Sequence, residues 1–163
     1  MPPPVILNPE ELDLTTSIAT REEIEKINPQ RFEMQHVDAI CLLNPEEHLI
    51  VGYKDVRPDE FWVRGHFPDF PLMPGVLMCE AAAQLASYYT HTQGILKEGI
   101  IGFGGMEEVR FRGPVRPGDR LVLVGKGKRL RKLQTIFAVQ GFVGTAMVFH
   151  GDIIGVPLVP EEK

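Results

Sequence analysis

The chain has 163 residues, 44% of them hydrophobic and 24% charged. Those are the proportions of one globular domain, not of a disordered chain or a small disulfide-stapled scaffold. Seventeen lysines and arginines against twenty-two aspartates and glutamates leave a formal charge of -5, which argues against a dedicated nucleic-acid binder because phosphate contacts need a positive excess.

Two cysteines, Cys41 and Cys79, lie among apolar neighbours and read as buried free thiols; two alone make no metal site. Met1-Pro2-Pro3-Pro4-Val5-Ile6 has neither a basic start nor a long apolar run, so no signal peptide is expected. No apolar stretch approaches the ~20 residues of a membrane span. A cytoplasmic protein without a membrane span is the expectation.

Residues 1–28 read as an N-terminal extension. Four prolines (2, 3, 4 and 9) keep its start extended, since each fixes φ and lacks an N–H. Thr20-Arg21-Glu22-Glu23 has the spacing of a capping box and predicts a short helix, with Ile24 and Ile27 as its apolar stripe and Asn28-Pro29 as its end. A strand is predicted over 37–43, buried on most of both faces, then a turn at 44–47 and a returning strand over 48–54. Prolines 58, 68, 71 and 74 exclude a long regular element between 57 and 74. The apolar block from Val76 to Tyr89 predicts a helix that starts at Pro74, ends near Gly94 and is buried all round. Further strands are predicted from Val109 to Gly113, Arg120 to Lys128, Leu133 to Gly141 and Thr145 to Ile154. Gly141, Gly144 and Gly151 suggest bulges or close backbone approach. One long buried helix with strands before and after implies an antiparallel sheet wrapped around it, an α+β domain over 29–163.

The chemistry concentrates between Arg64 and Gln84. His66 lies in a Pro-rich loop, and Glu80 is the only formal charge between Val76 and Ala86. An isolated buried carboxylate is costly, so Glu80 is paired, protonated or kept for a task. Burial raises its pKa and makes it a proton donor near neutrality, while His66 is a base in that range. Gly75 at the helix start offers free backbone N–H groups to polarise a carbonyl, without a side chain in the way. Each feature also has an ordinary structural explanation: a loop histidine, a glutamate paired with an arginine, a Pro-Gly helix start. Fourteen residues separate His66 from Glu80, so their meeting depends on how the loop folds.

Gly65-His66-Phe67-Pro68-x-x-Pro71-x-Met73-Pro74-Gly75-Val76-Leu77, followed by Glu80-Ala81-x-Ala83-Gln84, resembles the signature of the (3R)-hydroxyacyl-[acyl-carrier-protein] dehydratases of the hotdog fold. Val109-Arg110-Phe111-Arg112-x-Pro114-Val115-x-Pro117-Gly118-Asp119 resembles that family's second block, and the likeness covers roughly residues 29 to 155. The sister branch that also isomerises carries Asp at the helix position, so Glu80 favours the FabZ-like, dehydratase-only branch.

The resemblance implies a homodimer, in many members a trimer of dimers, with His66 of one subunit facing Glu80 of the other. The substrate it implies is a 3-hydroxyacyl thioester on the phosphopantetheine of acyl carrier protein, dehydrated in type II fatty acid biosynthesis without metal or other cofactor. His66 would take a C2 proton, Glu80 would protonate the departing hydroxyl, and the Gly75 amide would hold the thioester oxygen. Gln84 would orient Glu80, and Phe67, Leu77 and Phe111 would line an acyl tunnel.

Arg110, Arg112, Arg116, Lys128, Arg129, Arg131 and Lys132 form a basic stretch suited to docking an acidic carrier protein, or else an ordinary solvated hairpin. Pro29-Gln30-Arg31-Phe32-Glu33-Met34 departs from the family's usual Pro-His-Arg-Tyr-Pro-Phe, a segment that borders the tunnel or dimer contact. A hotdog thioesterase and a non-catalytic acyl-binding subunit are the competing functions.

Overall fold

The longest helix, α2 (Gly75–Thr92), begins just after Pro74 and hands over to Gly94 at φ 68°. Proline suits that start because the first-turn N–H groups have no helical partner, and glycine adopts the left-handed end without a Cβ clash. Residues 1–161 are described by a computed structural model; the last two positions of the domain expected to run to 163 lie outside the described residues.

Among the described residues seven strands accompany α2: β1 (Ala19–Thr20), β2 (Ala39–Asn44), β3 (Leu49–Asp55), β4 (Ile100–Phe111), β5 (Arg120–Arg131), β6 (Gln134–Val143) and β7 (Ala146–Leu158). They form one antiparallel sheet in the order β1-β2-β3-β5-β6-β7-β4. Its inner face packs on α2 through β3, β5, β6 and β7. Met78, Ala82, Leu85 and Tyr89 of the helix share a core with Ile50, Leu121, Leu123 and Phe137. At Gly141 the β6–β7 register shifts, and the Phe149 ring occupies the space a Cβ would need. This is the close approach expected there.

The capping box forms: Thr20 Oγ1 accepts from the Glu23 N–H at 3.4 Å, and Glu23 Oε2 accepts from the Thr20 N–H at 2.7 Å. It starts α1 (Arg21–Glu25), whose Ile24 joins the main core. Before it, Ile6, Leu7, Leu12 and Leu14 lie on a second core of Val51, Val122, Val124 and Phe142. The extension thus covers the outer face of the sheet. Strand β5 alternates Leu121 and Leu123 toward α2 with Val122 and Val124 toward the extension, as the two-residue strand period requires.

Several expectations need correction. Strand β4 begins at Ile100 and not at Val109. Its glycines at 102, 104 and 105 lower strand propensity, and pairing with the distant tail of β7, from Ile153 to Leu158, supplies what local preference does not. Helix α2 is not buried all round: Val76 is 63% exposed, and Glu80 and Ala83 are half-buried along the same stripe. Cys41 is half-buried, whereas Cys79 is fully buried and its thiol is pushed up to about 11 by desolvation. Among the described residues, no helix is long and apolar enough to cross a membrane.

A buried polar cluster supports the loop that precedes α2. Lys54 Nζ and Glu60 Oε2 pair at 3.0 Å with side chains 1% and 5% exposed, and Glu60 also accepts the Arg57 N–H. Beside them His36 is wholly buried, and neither ring nitrogen has a hydrogen-bond partner among the described residues. Burial, reinforced by Lys54 and Arg21 against Glu60 and Asp38, lowers its pKa from 6.5 to about 4.

As pH falls through 6.5 the unfolded chain protonates this histidine, while the native chain resists until about 4. The contribution to stability is full above pH 6.5 and is lost between 6.5 and 4, by about 3 kcal/mol. Urea denaturation across that range should show this loss, and His36→Leu should flatten it. An unchanged slope in the variant would remove His36 as its source.

Candidate active site

Residues 57–74 are ordered by backbone hydrogen bonds although they form no regular element. The buried Trp62 anchors the loop in the main core, and its carbonyl accepts the Gly65 and His66 N–H groups at 3.2 and 2.8 Å. Phe67 and Phe70 exchange N–H···O bonds at 2.9 Å, the Leu72 N–H donates to the His66 carbonyl, and the Met73 N–H donates to Val115. Prolines at 68, 71 and 74 remove donors at positions where no ladder needs them.

The imidazole of His66 is half-buried and stacks on Phe67, the two joined by a cis peptide, at a centroid distance of 4.0 Å. Its Nδ1 lies 2.7 Å from the Leu72 carbonyl oxygen. A carbonyl only accepts, so Nδ1 carries the proton and the lone pair is at Nε2. His66 opens on a groove of about 530 Å³ lined also by Pro74, Gly75, Val76, Phe111 and Pro114.

Gly75 has a more specific role than keeping the helix start clear. A Cβ there would lie 2.8 Å from the Phe111 ring, so glycine makes room for that ring and not for an open approach. The Gly75 and Val76 N–H groups donate to no acceptor among the described residues, as first-turn amides do. They are available to an oxygen in the groove.

Glu80 lies two turns into α2. Burial raises its carboxyl pKa, and a hydrogen bond from Gln84 opposes part of that rise. Gln84 is itself buried: its Nε2 donates to Glu80 Oε1 at 2.8 Å and to the Met34 carbonyl at 2.7 Å, and its Oε1 accepts the His36 N–H at 2.8 Å. No arginine pairs with Glu80; the salt bridges among the described residues lie elsewhere. The carboxyl lines a cavity of about 130 Å³ between α2, β4, β6 and β7.

His66 and Glu80 therefore line different cavities of one chain. Phe111 borders the His66 groove, Phe67 stacks on the imidazole, and Leu77 packs against the core. Sequence reasoning missed the wall of the Glu80 cavity formed by Ile101, Gly102 and Phe103, because it did not see that part of β4. No group of three or more His, Cys, Asp or Glu side chains among the described residues is placed to hold a metal.

The seven basic residues are all exposed but fall into two groups. Arg110 shares a row with His150, Gln140 and Val124, whereas Arg131 pairs with Gln134 seven residues further along β5. That separates them by about 20 Å. Arg116 lies over the Phe70 ring at 5.6 Å, beside the His66 loop. Lys128 is paired with Asp152 at 2.6 Å.

A helix wrapped by one curved antiparallel sheet is the hotdog fold, as the α+β expectation had it. The dehydratase heterocomplex ApeI:P from Xenorhabdus doucetiae shares it at a TM-score of 0.68 and 14% identity, over 83% of this chain and 90% of that one. A model of the FabA-like domain matches residues 28–152, and the chain belongs to that family. Among its relatives is a 3-hydroxyacyl-[acyl-carrier-protein] dehydratase FabZ of Polynucleobacter asymbioticus, 37% identical over 80% of this chain and 87% of the relative. Another of the same name, from Desulfotalea psychrophila, is 32% identical over 91% of this chain and 95% of the relative.

Carbon-13 NMR of labelled Glu80 should place its titration above the ordinary 4.5. In Gln84→Met, which removes the donor, the midpoint should rise further. A lower midpoint would mean that Gln84 does not stabilise the carboxylate.

Proposed function

We propose that this protein is a hydro-lyase that converts (3R)-3-hydroxyacyl-[acyl-carrier-protein] to the trans-2-enoyl thioester in fatty acid biosynthesis. The observation that carries the reading is the opposite preparation of two groups. His66 has its lone pair at Nε2 because Nδ1–H is committed to Leu72, and Glu80 is biased by burial toward its protonated form. A base with a free lone pair and a carboxyl group that keeps its proton are what loss of water from adjacent carbons requires.

Nε2 of His66 takes the C2 proton, and the C2–H electron pair becomes the C2=C3 bond. The C3–O bond breaks as Glu80 gives its proton to the leaving hydroxyl, which departs as water. The free amides at Gly75 and Val76 receive the thioester oxygen as charge develops on it. The proton left on His66 returns to Glu80 through solvent and resets both groups.

Working sites are built between two subunits, His66 of one with Glu80 of the other. Three observations support this. The two residues line separate cavities, the twelve-residue β4 is a free sheet edge, and apolar side chains at Phe67, Phe70, Val76, Phe103, Met106 and Phe111 stand exposed around the groove and that edge. Long unpaired edges with apolar flanks recruit a partner strand. The substrate arrives on phosphopantetheine, steered by Arg110, Arg112 and Arg116 near the groove, with Lys128, Arg129, Arg131 and Lys132 as a second group.

His66→Ala and Glu80→Gln should each lower dehydration by on the order of a thousandfold while the oligomer persists. Mixing the two inactive variants and letting subunits exchange should restore activity, because one hybrid site regains both groups. No restoration would place the pair within one chain. The double change Arg112→Glu and Arg116→Glu should raise KM for carrier-bound substrate about tenfold and spare a small thioester mimic; equal effects on both would refute docking at that end.

A further inference from the structure

Ser87 is a buried polar group in the Glu80 cavity that the dehydration chemistry leaves unused. It lies seven residues after Glu80, two helical turns on the same stripe, which places it about 10 Å deeper along α2. It is 3% exposed, and its hydroxyl has no hydrogen-bond partner among the described residues. Hydroxyls inside helices usually bond back to the preceding turn. Thr90 does so to the Ala86 carbonyl and Thr92 to the Tyr88 carbonyl, each at 2.8 Å, but Ser87 does not.

Ser87 and Glu80 line the same cavity of about 130 Å³, along with Thr135 of β6, which is 4% exposed. Gln30 also lines it, and its Oε1 is buried without a partner among the described residues. Ala83, Ile101 and Ile153 complete the apolar part. An alkyl chain entering this space would leave Ser87 and Gln30 unpaired, and each buried orphan is a penalty. A hydroxyl at that depth would both accept from Ser87 or Thr135 and donate to the Gln30 oxygen.

We propose that Ser87, Thr135 and Gln30 are specificity-determining residues that select 3-hydroxyacyl chains carrying a second hydroxyl about 10 Å beyond the reacting carbons. This rests on the dehydratase reading of Glu80. A cavity that hydrogen-bonds a substituent discriminates strongly against the analogue lacking it, since the lost bond leaves the cavity's own groups unpaired.

The test compares dehydration of two pantetheine thioesters of equal length, a straight (3R)-3-hydroxyacyl chain and its counterpart with a distal hydroxyl. The native protein should favour the hydroxylated chain about tenfold in kcat/KM. In Ser87→Ala the ratio between the two substrates should fall toward one, and Thr135→Val, which keeps the volume, should move it the same way. A native ratio near one overturns the inference while turnover of the straight chain leaves the dehydratase reading intact. A high ratio retained in both variants also overturns it. Turnover of neither thioester removes the dehydratase reading and this inference with it.

Discussion

The buried Gln84 amide, held between the Glu80 carboxyl, the Met34 carbonyl and the His36 N–H, is the contact on which the arrangement depends. A carboxyl group in an apolar helix is unstable as an ion unless something holds it, and a nearby arginine would hold it permanently ionised. A neutral amide donor fixes its position and leaves it able to keep a proton. Because the same amide also ties down the chain entering β2, the geometry of the acid is coupled to the packing of that segment. Asn28 adds to the coupling by donating to the Gln84 carbonyl at 2.8 Å.

The histidine is handled by a different device. Its loop has no helix or strand to hold it, so rigidity comes from prolines, a buried tryptophan and short backbone bonds. The loop rests on the Lys54–Glu60 pair, whose desolvation is expensive unless both partners are present. Such a pair is a poor source of net stability but a good determinant of one loop conformation. Glu80 thus sits on a helix and His66 on a braced loop, each positioned by its own set of neighbours.

The N-terminal extension changes the meaning of the strand pattern. Strands β3 and β5 are apolar on both faces, which in an open antiparallel sheet would leave one greasy face in water. Here Ile6, Leu7, Leu12 and Leu14 cover it, and Gln140 clamps the covering segment through the Ile6 N–H and the Pro4 carbonyl. The opposite problem remains at β4, whose outer edge and apolar side chains have no cover among the described residues of one chain. That asymmetry, one face closed internally and one edge left open, is the physical argument for the proposed assembly through β4.

Local signals were legible without coordinates wherever their partners lie a few residues away. The Thr20–Glu23 capping box, the Pro74 helix start, the turn at 44–47 and the glycine at the end of α2 are of that kind. So was the isolated Glu80, since its cost follows from its apolar neighbours in the sequence, while the role of Gln84 one turn later came only from the family resemblance. The first nine residues of β4, the outer cover, the half-open stripe of α2, the Phe111 ring over Gly75 and the orphaned Ser87 hydroxyl were not legible. Each depends on segments tens of residues apart arriving at the same place, and propensity carries no information about which distant strand or ring will arrive. The amino-acid order determined which residues have the chemistry for acid and base. The tertiary structure decided what surrounds them, because desolvation and hydrogen-bond pairing are properties of the packed chain.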